Sequence, residues 1–431
     1  LDATDAEREK SLNMNFGYDR QNRIWELIVR YHGDLSGVGE RTKEIILLSG
    51  GYAIITAEES EIDWISSQPE VEYIEKPKRL FFSAAQGRSA SCINPLQTGA
   101  FDLRGQGVLV AVIDSGVDVV IIATPPFFRP EHFKYATEKG VHSFLEKPIC
   151  VDPEGYRTVM AAAKQAQAKG LCVITGTQRH HQRPYVESYK KVQEGLIGEI
   201  TGGNVYWNQP MLWYRNREKG WSDMEWMIRD WVNWKWLSGD HIVEQHVHNI
   251  DVFNWFSGYK PKRATAFGSR QRRVTGDQYD NFSVDFEYDN GVHMHSMCRQ
   301  IDGCDSNVSE FIQGTKGSWS STDFAIRDLQ GNIVWQYDSA TEDAAHQQND
   351  PYTLEHVNWI SCIRNNTPIV QAEETATSNM CAIMGRESAY TGKSVSWDEM
   401  TASPLNLTPA KMELGPMDMS IYTVPVPGTG K

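Results

Sequence analysis

Apolar and polar positions follow two different patterns along the chain, and the first pattern covers the N-terminal part. Residues 24–31 alternate apolar with charged side chains, which predicts a strand with one solvated face. Further strands are predicted at residues 52–57 and 71–74, with a helical stretch at residues 58–67 between them. These elements predict a small α+β module over residues 1–82.

From residue 119 onwards, continuous apolar runs alternate with helical stretches. The predicted elements are strands at residues 119–123, 141–145 and 171–175, and helices at residues 131–139 and 152–169. Asp152 and Pro153 are a typical N-cap and first-turn pair for the second helix. Strands that are apolar throughout and joined by helices indicate a parallel sheet covered on both faces.

The last part of the chain returns to alternation after a Trp-rich helical region at residues 221–255. Residues 282–288 alternate into Asn290-Gly291, a type I′ hairpin signal, and residues 292–298 return. Glycine-containing turns continue the sheet, and two helices follow at residues 354–363 and 372–390. The pattern predicts half of an α/β domain followed by an α+β domain with a mainly antiparallel sheet.

Composition restricts the class of partner. The 431 residues include 42 Lys and Arg against 56 Asp and Glu, a formal net charge of −14 without a long basic block. We therefore expect no nucleic-acid partner and no binding to an anionic membrane surface. No apolar run approaches 18 residues, so no membrane-spanning helix is expected.

The cysteines and the N-terminus bear on the cellular compartment. Seven cysteines lie far apart without a C-x-x-C pair, which argues against a disulfide framework and favours a reducing compartment. The chain begins with Leu1 and shows no basic and then apolar leader. We therefore expect a cytoplasmic protein whose natural start precedes Leu1.

Five stretches in the first part match one known pattern. They are IWELIVRYHGDL (24–35), GGYAIITAEES (50–60), PEVEYIEKPKRLFF (69–82), SCINPLQ (91–97) and GQGVLVAVIDSGVD (105–118). Residues 24–118 resemble the propeptide and first catalytic strand of a clostridial subtilisin-like serine peptidase, and Asp114 matches the triad aspartate. The family's His-Gly-Thr-His and Gly-Thr-Ser segments are absent from this sequence. Since the triad needs an imidazole and a hydroxyl, this part implies at most an inactive peptidase fragment.

Four later stretches match a different pattern, in order and spacing. They are VDVVIIATPPFFRPEHF (117–133), GVHSFLEKP (140–148), GDHIVEQHVHNIDVFNW (239–255) and SAYTGKSVSWDE (388–399). Residues from about 117 to the end resemble the glucose-fructose oxidoreductase and inositol dehydrogenase family (Gfo/Idh/MocA). The resemblance implies a Rossmann-type domain that holds NAD or NADP, and a C-terminal domain that binds substrate and forms homo-oligomers through its sheet.

The first half of that Rossmann domain is missing. A dinucleotide fold begins with a strand and a G-x-G-x-x-G turn that receives the pyrophosphate at a helix N-terminus, and no such turn occurs in this chain. Residues 112–118 fit both resemblances, so we interpret them as the junction of a chimera, either an artefact of sequence assembly or a natural fusion. The predicted divisions are residues 1–82, a linker and peptidase-like strand at 83–118, a truncated Rossmann half at 119–175, and the C-terminal domain at 176–431.

Candidate site residues follow the strands of the parallel sheet, where ligands bind in such folds. The resemblance implies that Lys147 acts at the nicotinamide edge and the substrate hydroxyl, and that Glu146, Thr124 and Pro125 line the cofactor. Gln178 and Arg179, which follow the next strand, are candidate substrate-binding residues, although Arg179 could equally be a solvated charge.

A second group of candidates lies in residues 239–255. In one helix, His241, Glu244, His248 and Asp251 would share an arc of roughly 80° at about 100° per residue. The resemblance implies that His248 is the catalytic acid or base and that Glu244 stands where an Asp orients it. His241, Glu244 and His248 also have the spacing of a zinc site, but nicotinamide chemistry is the preferred interpretation and no metal is predicted.

The sequence therefore predicts an NAD(P)-dependent oxidoreductase for a hydroxyl of a sugar, polyol or cyclitol, impaired by the missing phosphate-binding half. Its partner is a small carbohydrate-like substrate. The alternatives are an NAD-dependent glycosidase of the same family and an inactive peptidase fragment fused to the oxidoreductase part.

Overall fold

A computed structural model of the chain describes residues 18–19, 22–48, 51–75, 118–346 and 349–429. The chain divides into two compact units, Leu1–Arg104 and Gly105–Lys431. The predicted linker, the peptidase-like strand and Asp114 all lie outside the described residues.

The N-terminal unit contains a small antiparallel sheet. Its strands are β1 (Tyr18–Asp19), β2 (Ile24–Tyr31), β3 (Glu44–Leu48), β4 (Tyr52–Glu58) and β5 (Val71–Glu75), and its short helices are α1 (Ser36–Gly39) and α2 (Ile62–Ser66). Strand β2 lies between β4 on one side and β1 and β5 on the other. The apolar residues of β2 alternate into the core, with Trp25, Leu27 and Val29 buried, so the predicted strand is confirmed.

A three-stranded parallel sheet opens the second unit. Its elements are β6 (Val119–Ile122), α3 (Arg129–Glu138), β7 (His142–Leu145), α4 (Pro153–Ala168) and β8 (Val173–Thr175), and the strand order is β6-β7-β8. Val370 forms a parallel bridge with Val173 and extends the sheet beyond β8. Asp152 caps α4 by accepting a hydrogen bond from the Gly155 amide at 2.7 Å, as the sequence predicted.

A nine-stranded sheet forms the rest of the second unit, with the order β16-β15-β14-β13-β9-β12-β11-β10-β17. The strands are β9 (Ile200–Gln209), β10 (Pro261–Ser269), β11 (Asn281–Tyr288), β12 (His293–Gln300), β13 (Asn307–Gly314), β14 (Gly317–Ser320), β15 (Ala325–Asp328), β16 (Ile333–Gln336) and β17 (Val395–Ser396). All pairs are antiparallel except β9 with β12. The predicted mainly antiparallel sheet is confirmed.

Further helices accompany the two sheets of the second unit: those at Val247–Ser257, Ala372–Thr391 and Trp397–Thr401 contact the large sheet, and the one at Pro351–Arg364 contacts β7 and β8. The further helices are α5 (Arg183–Gln193), α6 (Asp223–Arg229), α7 (Lys235–Ser238), α8 (His241–Glu244), α9 (Val247–Ser257), α10 (Ser339–Glu342), α11 (Pro351–Arg364), α12 (Ala372–Thr391) and α13 (Trp397–Thr401). Helix α12 is buried on almost every side, because it contacts the sheet, α4 and α9. The core of the second unit is therefore continuous from the parallel sheet to the large sheet.

The β11–β12 hairpin forms as predicted, but the type I′ turn is wrong. The left-handed backbone occurs at Gly291, with φ of 80°, and not at Asn290. The Asn290 side chain instead accepts a hydrogen bond from the Val292 amide at 3.1 Å. This side-chain bond favours a turn with a single left-handed residue before the returning strand.

The single helix predicted for residues 239–255 is also wrong. The segment is two helices, α8 and α9, with a break at Gln245 and His246. Asp240 precedes α8 with φ of 76° and its buried side chain accepts hydrogen bonds from the backbone of His241 and Tyr279. These contacts fix the start of α8, and His246 at the break bonds Ser296 of β12 instead of continuing the helix face.

Two cysteines are paired, contrary to the sequence prediction. Cys172, beside β8, forms a disulfide with Cys362 of α11, with Cα atoms 6.3 Å apart. The two residues are 190 positions apart, which explains why their spacing gave no signal. Cys150, Cys298, Cys304 and Cys381 are unpaired. In the described part of the chain, no helix is long and apolar enough to cross a membrane.

Candidate functional site

Three loops meet where the parallel strands end, and a buried arginine joins two of them. Arg129, at the start of α3, donates from Nε to the Thr124 carbonyl at 2.6 Å. Its Nη1 donates to the carbonyls of Glu146 and Pro148 at 2.9 and 2.8 Å. Burial lowers the pKa of Arg129 to about 10, so the side chain still carries its charge at neutral pH. The sequence interpretation missed this residue, because its partners are backbone atoms.

Lys147 lies at this edge and is paired with Glu244. Its Nζ donates to the Glu244 carbonyl at 2.6 Å and lies 3.6 Å from the carboxylate oxygen Oε1. The two side chains are only 11% and 9% exposed. The structure therefore brings together two predicted site residues that are 97 positions apart, one following β7 and the other ending α8.

Glu244 does not orient His248 in the way that the resemblance implies. In the described chain no hydrogen bond joins the two side chains, and Glu244 is directed to Lys147. His248 instead stacks on Trp207 of β9, with ring centroids 5.6 Å apart and ring planes 23° apart. The sequence interpretation missed Trp207, because a single Trp in a strand is no different from a core residue.

The surroundings of His248 keep its imidazole uncharged. Burial lowers its pKa well below the ordinary value, and the positive charges of Lys147 and Arg179 lower it further. Neutral imidazole has one N–H donor and one acceptor nitrogen. His248 is therefore suited to hydrogen bonding with a hydroxyl and is a weak base in this setting.

Arg179 is an internal ion-pair residue more than a surface charge. Its guanidinium is 2.7 Å from Glu310 on β13, and the two side chains are 9% and 0% exposed. Glu310 also accepts hydrogen bonds from Tyr185 and Asn249 at 2.9 and 2.7 Å. The guanidinium lies 5.5 Å from the centre of the Trp207 ring, so Arg179 reaches the wall against which His248 stacks.

The remaining predicted residues surround the same edge. Thr124 is buried and its hydroxyl lies 3.1 Å from Nδ1 of His132, while Pro125 precedes a single 3-10 turn. Gln178 follows β8, and its buried Oε1 has no hydrogen-bond partner among the residues that the structure describes. Glu146 leaves β7 close to Gly176, where an added Cβ would lie 2.5 Å from Oε2 of the carboxylate.

The spacing that suggested a zinc site does not bring the three side chains to a common point. Nδ1 of His241 lies 3.0 Å from the Asp240 carboxylate, Glu244 is directed to Lys147, and His248 stacks on Trp207. Among the described residues, no group of three or more His, Cys, Asp or Glu side chains is arranged to hold a metal.

The described residues offer side chains for the nicotinamide side of a dinucleotide site but few donors for its phosphate side. Lys147, Glu146 and Thr124 gather at the edge that faces a nicotinamide in such folds. However, the helices that follow the three parallel strands all have a proline in the first turn, which removes an N–H donor that a phosphate would need. The carboxylate of Asp152 already caps α4. The described residues therefore do not fit a whole dinucleotide.

Comparison with known proteins identifies a class of protein for each part of the chain. The described part of the second unit has the fold of a Rossmann-type oxidoreductase with an added sheet domain. Residues 83–175 match the NAD-binding Rossmann fold of the GFO/IDH/MocA oxidoreductase family, and residues 190–397 match its C-terminal alpha/beta domain. The chain belongs to this family over these residues, and the family is one of NAD(P)-dependent oxidoreductases. Residues 1–78 match the Csp protease B prodomain.

Curated relatives fall into two activities. The chain is 26% identical over 206 residues to 2,7-anhydro-N-acetylneuraminate hydratase of Mediterraneibacter gnavus, covering 47% of this chain and 50% of the relative. It is 23% identical over 277 residues to an NAD⁺-dependent scyllo-inositol 2-dehydrogenase of Bacillus subtilis, covering 62% and 73%. The chain thus spans about half the length of the first of these relatives.

Solved structures support the fold. An oxidoreductase domain protein from Kribbella flavida superposes with a TM-score of 0.55 at 17% identity, covering 66% of this chain and 81% of that one. An aldose-aldose oxidoreductase from Caulobacter crescentus gives a TM-score of 0.51 at 18% identity, covering 65% and 79%. At these identities the likeness establishes the fold alone.

Proposed function

We propose that the second unit is the substrate-binding part of an NAD(P)-dependent oxidoreductase for a hydroxyl of a sugar, polyol or cyclitol, and that dinucleotide binding is impaired in this chain. The observation that carries the proposal is the Lys147–Glu244 pair at the edge of the parallel sheet, next to the His248–Trp207 stack. The family and the inositol dehydrogenase relative support the substrate class.

The paired lysine is suited to a reaction at a hydroxyl. A cation held in a partly buried site lowers the energy of an oxygen that gains negative charge. Glu244 fixes the position of the Lys147 ammonium, and His248 in its neutral form can exchange a hydrogen bond with the same class of ligand. The acid or base role of His248 stays a prediction, because nearby positive charges oppose its protonation.

Impaired dinucleotide binding is tested directly by titrating the purified 431-residue chain with NADH and following nicotinamide fluorescence. We expect no saturable change in the micromolar range, because the helices that follow the described parallel strands each carry a proline in the first turn and so lack an N–H donor for the pyrophosphate. Micromolar affinity would refute the impairment.

The substrate site is tested separately by calorimetric titration with scyllo-inositol. We expect measurable binding that Lys147→Met weakens about tenfold, since a hydrogen bond from a charged group is lost. Lys134→Met is the matched control, because Lys134 is an exposed lysine on α3. Equal affinity of both variants would contradict the assignment of Lys147.

A second candidate function is oxidation linked to elimination or to cleavage of a glycosidic bond. It is supported by the similarity to the anhydro-sugar hydratases, which have the higher identity among the relatives reported above. Product analysis by NMR with 2,7-anhydro-N-acetylneuraminate as the probe distinguishes the two candidates. Only the second candidate function would introduce a double bond or break a glycosidic bond in the probe.

We further propose that the chain is a chimera of a peptidase prodomain-like module and the oxidoreductase part, with a junction at residues 112–118 and the domain boundaries predicted above. The prodomain match to residues 1–78 supports the first piece. A single long sequencing read across codons 100–130 tests whether the two pieces are contiguous in the source DNA.

The large sheet is the proposed surface for homo-oligomers. Phe267 and Met297 lie on the sheet face opposite the helices and are 78% and 38% exposed. They are aligned across strands β10 to β12 through Ser283. Light scattering of the purified chain gives the mass; a monomer at micromolar concentration would refute this proposal.

A further inference from the structure

A second imidazole lies close to the site and was not among the predicted residues. His180 ends the 3-10 turn that follows β8, next to Gln178 and Arg179. Its Nε2 is 2.7 Å from Oδ2 of Asp251, and the side chains are 11% and 5% exposed. Because a carboxylate only accepts hydrogen bonds, Nε2 is assigned as the donor, and Nδ1 is then the acceptor nitrogen of the neutral ring.

Both partners of this pair are held in place. The His180 ring stacks on Trp255, with centroids 4.1 Å apart and planes 19° apart. The second carboxylate oxygen of Asp251 accepts a hydrogen bond from the Ser378 hydroxyl at 2.8 Å. The Ser378 hydroxyl in turn accepts from Asn254 at 3.1 Å. In the described residues, Nδ1 of His180 has no hydrogen-bond partner, so it is the one polar atom of the pair left for a ligand.

The pair shares helix α9 with His248. Asp251 follows His248 by three positions, which places the two residues on adjacent turns of the same helix face. The charged and titratable groups around His180 are Asp251 and His248 on α9, Glu374 on α12 and the neighbouring His181. Two carboxylates therefore lie near His180, whereas the cations Lys147 and Arg179 lie near His248.

We propose that His180, oriented by Asp251, is the proton acceptor of the site, and that it binds a substrate hydroxyl through Nδ1. This inference rests on the proposed function. The hydroxyl donates its hydrogen to Nδ1 in the bound state. When the O–H bond breaks, the proton passes to Nδ1, the electron pair stays on the substrate oxygen, and Nε2–H continues to donate to Asp251. The carboxylate then stabilises the imidazolium that has formed.

The adjacent histidine supplies a matched control. His181 is 7% exposed, and its Nδ1 is 2.7 Å from the side-chain amide of Asn358 on α11, so it faces away from Asp251. Burial lowers the pKa of His181 to about 4. The two residues have the same chemistry and almost the same position in the chain, but only His180 has a carboxylate partner.

The test is equilibrium binding of scyllo-inositol to the full chain and its variants, with circular dichroism melting to show that each is folded. We expect His180→Gln to weaken binding about tenfold and Asp251→Asn to weaken it by a smaller factor. We expect His181→Gln to stay within about twofold of the unchanged chain. In ¹³C-histidine NMR spectra, the ring signal missing from His180→Gln is expected to shift when scyllo-inositol is added.

The outcomes separate this inference from the proposed function. Unchanged affinity of a folded His180→Gln variant, or no shift of the His180 signal on binding, would overturn the inference and leave the function standing. Equal losses in the His180 and His181 variants would also overturn it, because the effect would then be general to the loop. If the unchanged chain fails to bind scyllo-inositol at millimolar concentration, the proposed function itself fails.

Discussion

The Arg179–Glu310 pair offers a quantitative test of whether Arg179 is primarily structural. Both charges are buried, and Glu310 accepts hydrogen bonds from Tyr185 and Asn249 as well as the contact with Arg179. Removing one partner of a buried ion pair leaves the other charge without compensation, which costs about 3–5 kcal/mol. We therefore expect Glu310→Gln to lower the free energy of unfolding of the second unit by about that amount.

The double-mutant cycle sharpens this prediction. Arg179→Met should cost less than Glu310→Gln, because the Glu310 carboxylate keeps two neutral donors. The double variant should cost less than the sum of the two single variants, by about 1–3 kcal/mol, since the uncompensated charge is then absent. The assay is urea unfolding monitored by near-ultraviolet circular dichroism. The dependence of the unfolding free energy on urea concentration should be the same for all variants.

An exposed pair provides the control. Glu187 and Lys190 on α5 form an ion pair with side chains 37% and 56% exposed, and Glu187→Gln should change stability by less than about 1 kcal/mol. Strict additivity of the Arg179 and Glu310 substitutions, or single effects as small as that of the control, would refute the reasoning. Arg179 would then be available for substrate binding.

Three further predictions concern the same unit. Gly276→Ala should lower the free energy of unfolding by about 3–5 kcal/mol, because φ is 74° and the new Cβ would lie 1.7 Å from the Asn233 carbonyl oxygen. The control is Gly291→Ala, where φ is 80° but the space around the new Cβ is open, and it should cost about 1–2 kcal/mol. Burial and nearby carboxylates raise the pKa of Glu355 from 4.5 to about 9. The free energy of unfolding should therefore fall as pH rises from 4.5 towards 9, because the folded state binds a proton that the unfolded state has lost. In urea titrations, Glu355→Gln should stabilise the chain at pH 8 but not at pH 4. Alkylation of the denatured, unreduced chain should leave Cys172 and Cys362 in one cross-linked peptide pair, and recovery of both as labelled thiols would contradict the bridge.

Local sequence patterns predicted those strands whose buried face is visible within a short segment of the chain. Strand β2 has the predicted bounds, and the strands of the parallel sheet begin and end within two residues of the prediction. A strand buried on one face alternates apolar and polar residues, and a strand buried on both faces is apolar throughout. Both patterns can be seen within the segment itself. The placement of Lys147 at the sheet edge follows from the same regularity.

Contacts between distant residues account for the failures. The start of α8 depends on Asp240, whose carboxylate accepts hydrogen bonds from Tyr279 and from the hydroxyl of Tyr390, 150 positions away. At the helix break, the His246 side chain bonds Ser296, 50 positions away. Likewise, the role of Arg179 depends on Glu310 in a strand far along the chain. No periodicity within a short window carries such information, so one helix was predicted where the chain forms two, with a break at His246.

The positions of the paired charges bear differently on polyol binding and on dinucleotide binding. Two cation–carboxylate pairs, Lys147–Glu244 and Arg179–Glu310, and the hydrogen-bonded pair His180–Asp251 surround His248. Each pair is anchored within the residues that follow β6, and none requires a phosphate-binding turn. Because the two ion pairs are neutral and the Asp251 carboxylate beside neutral His180 is negative, the site favours an uncharged polyhydroxylated ligand over an anion. If dinucleotide binding is impaired as proposed, redox turnover should be lost while polyol binding persists.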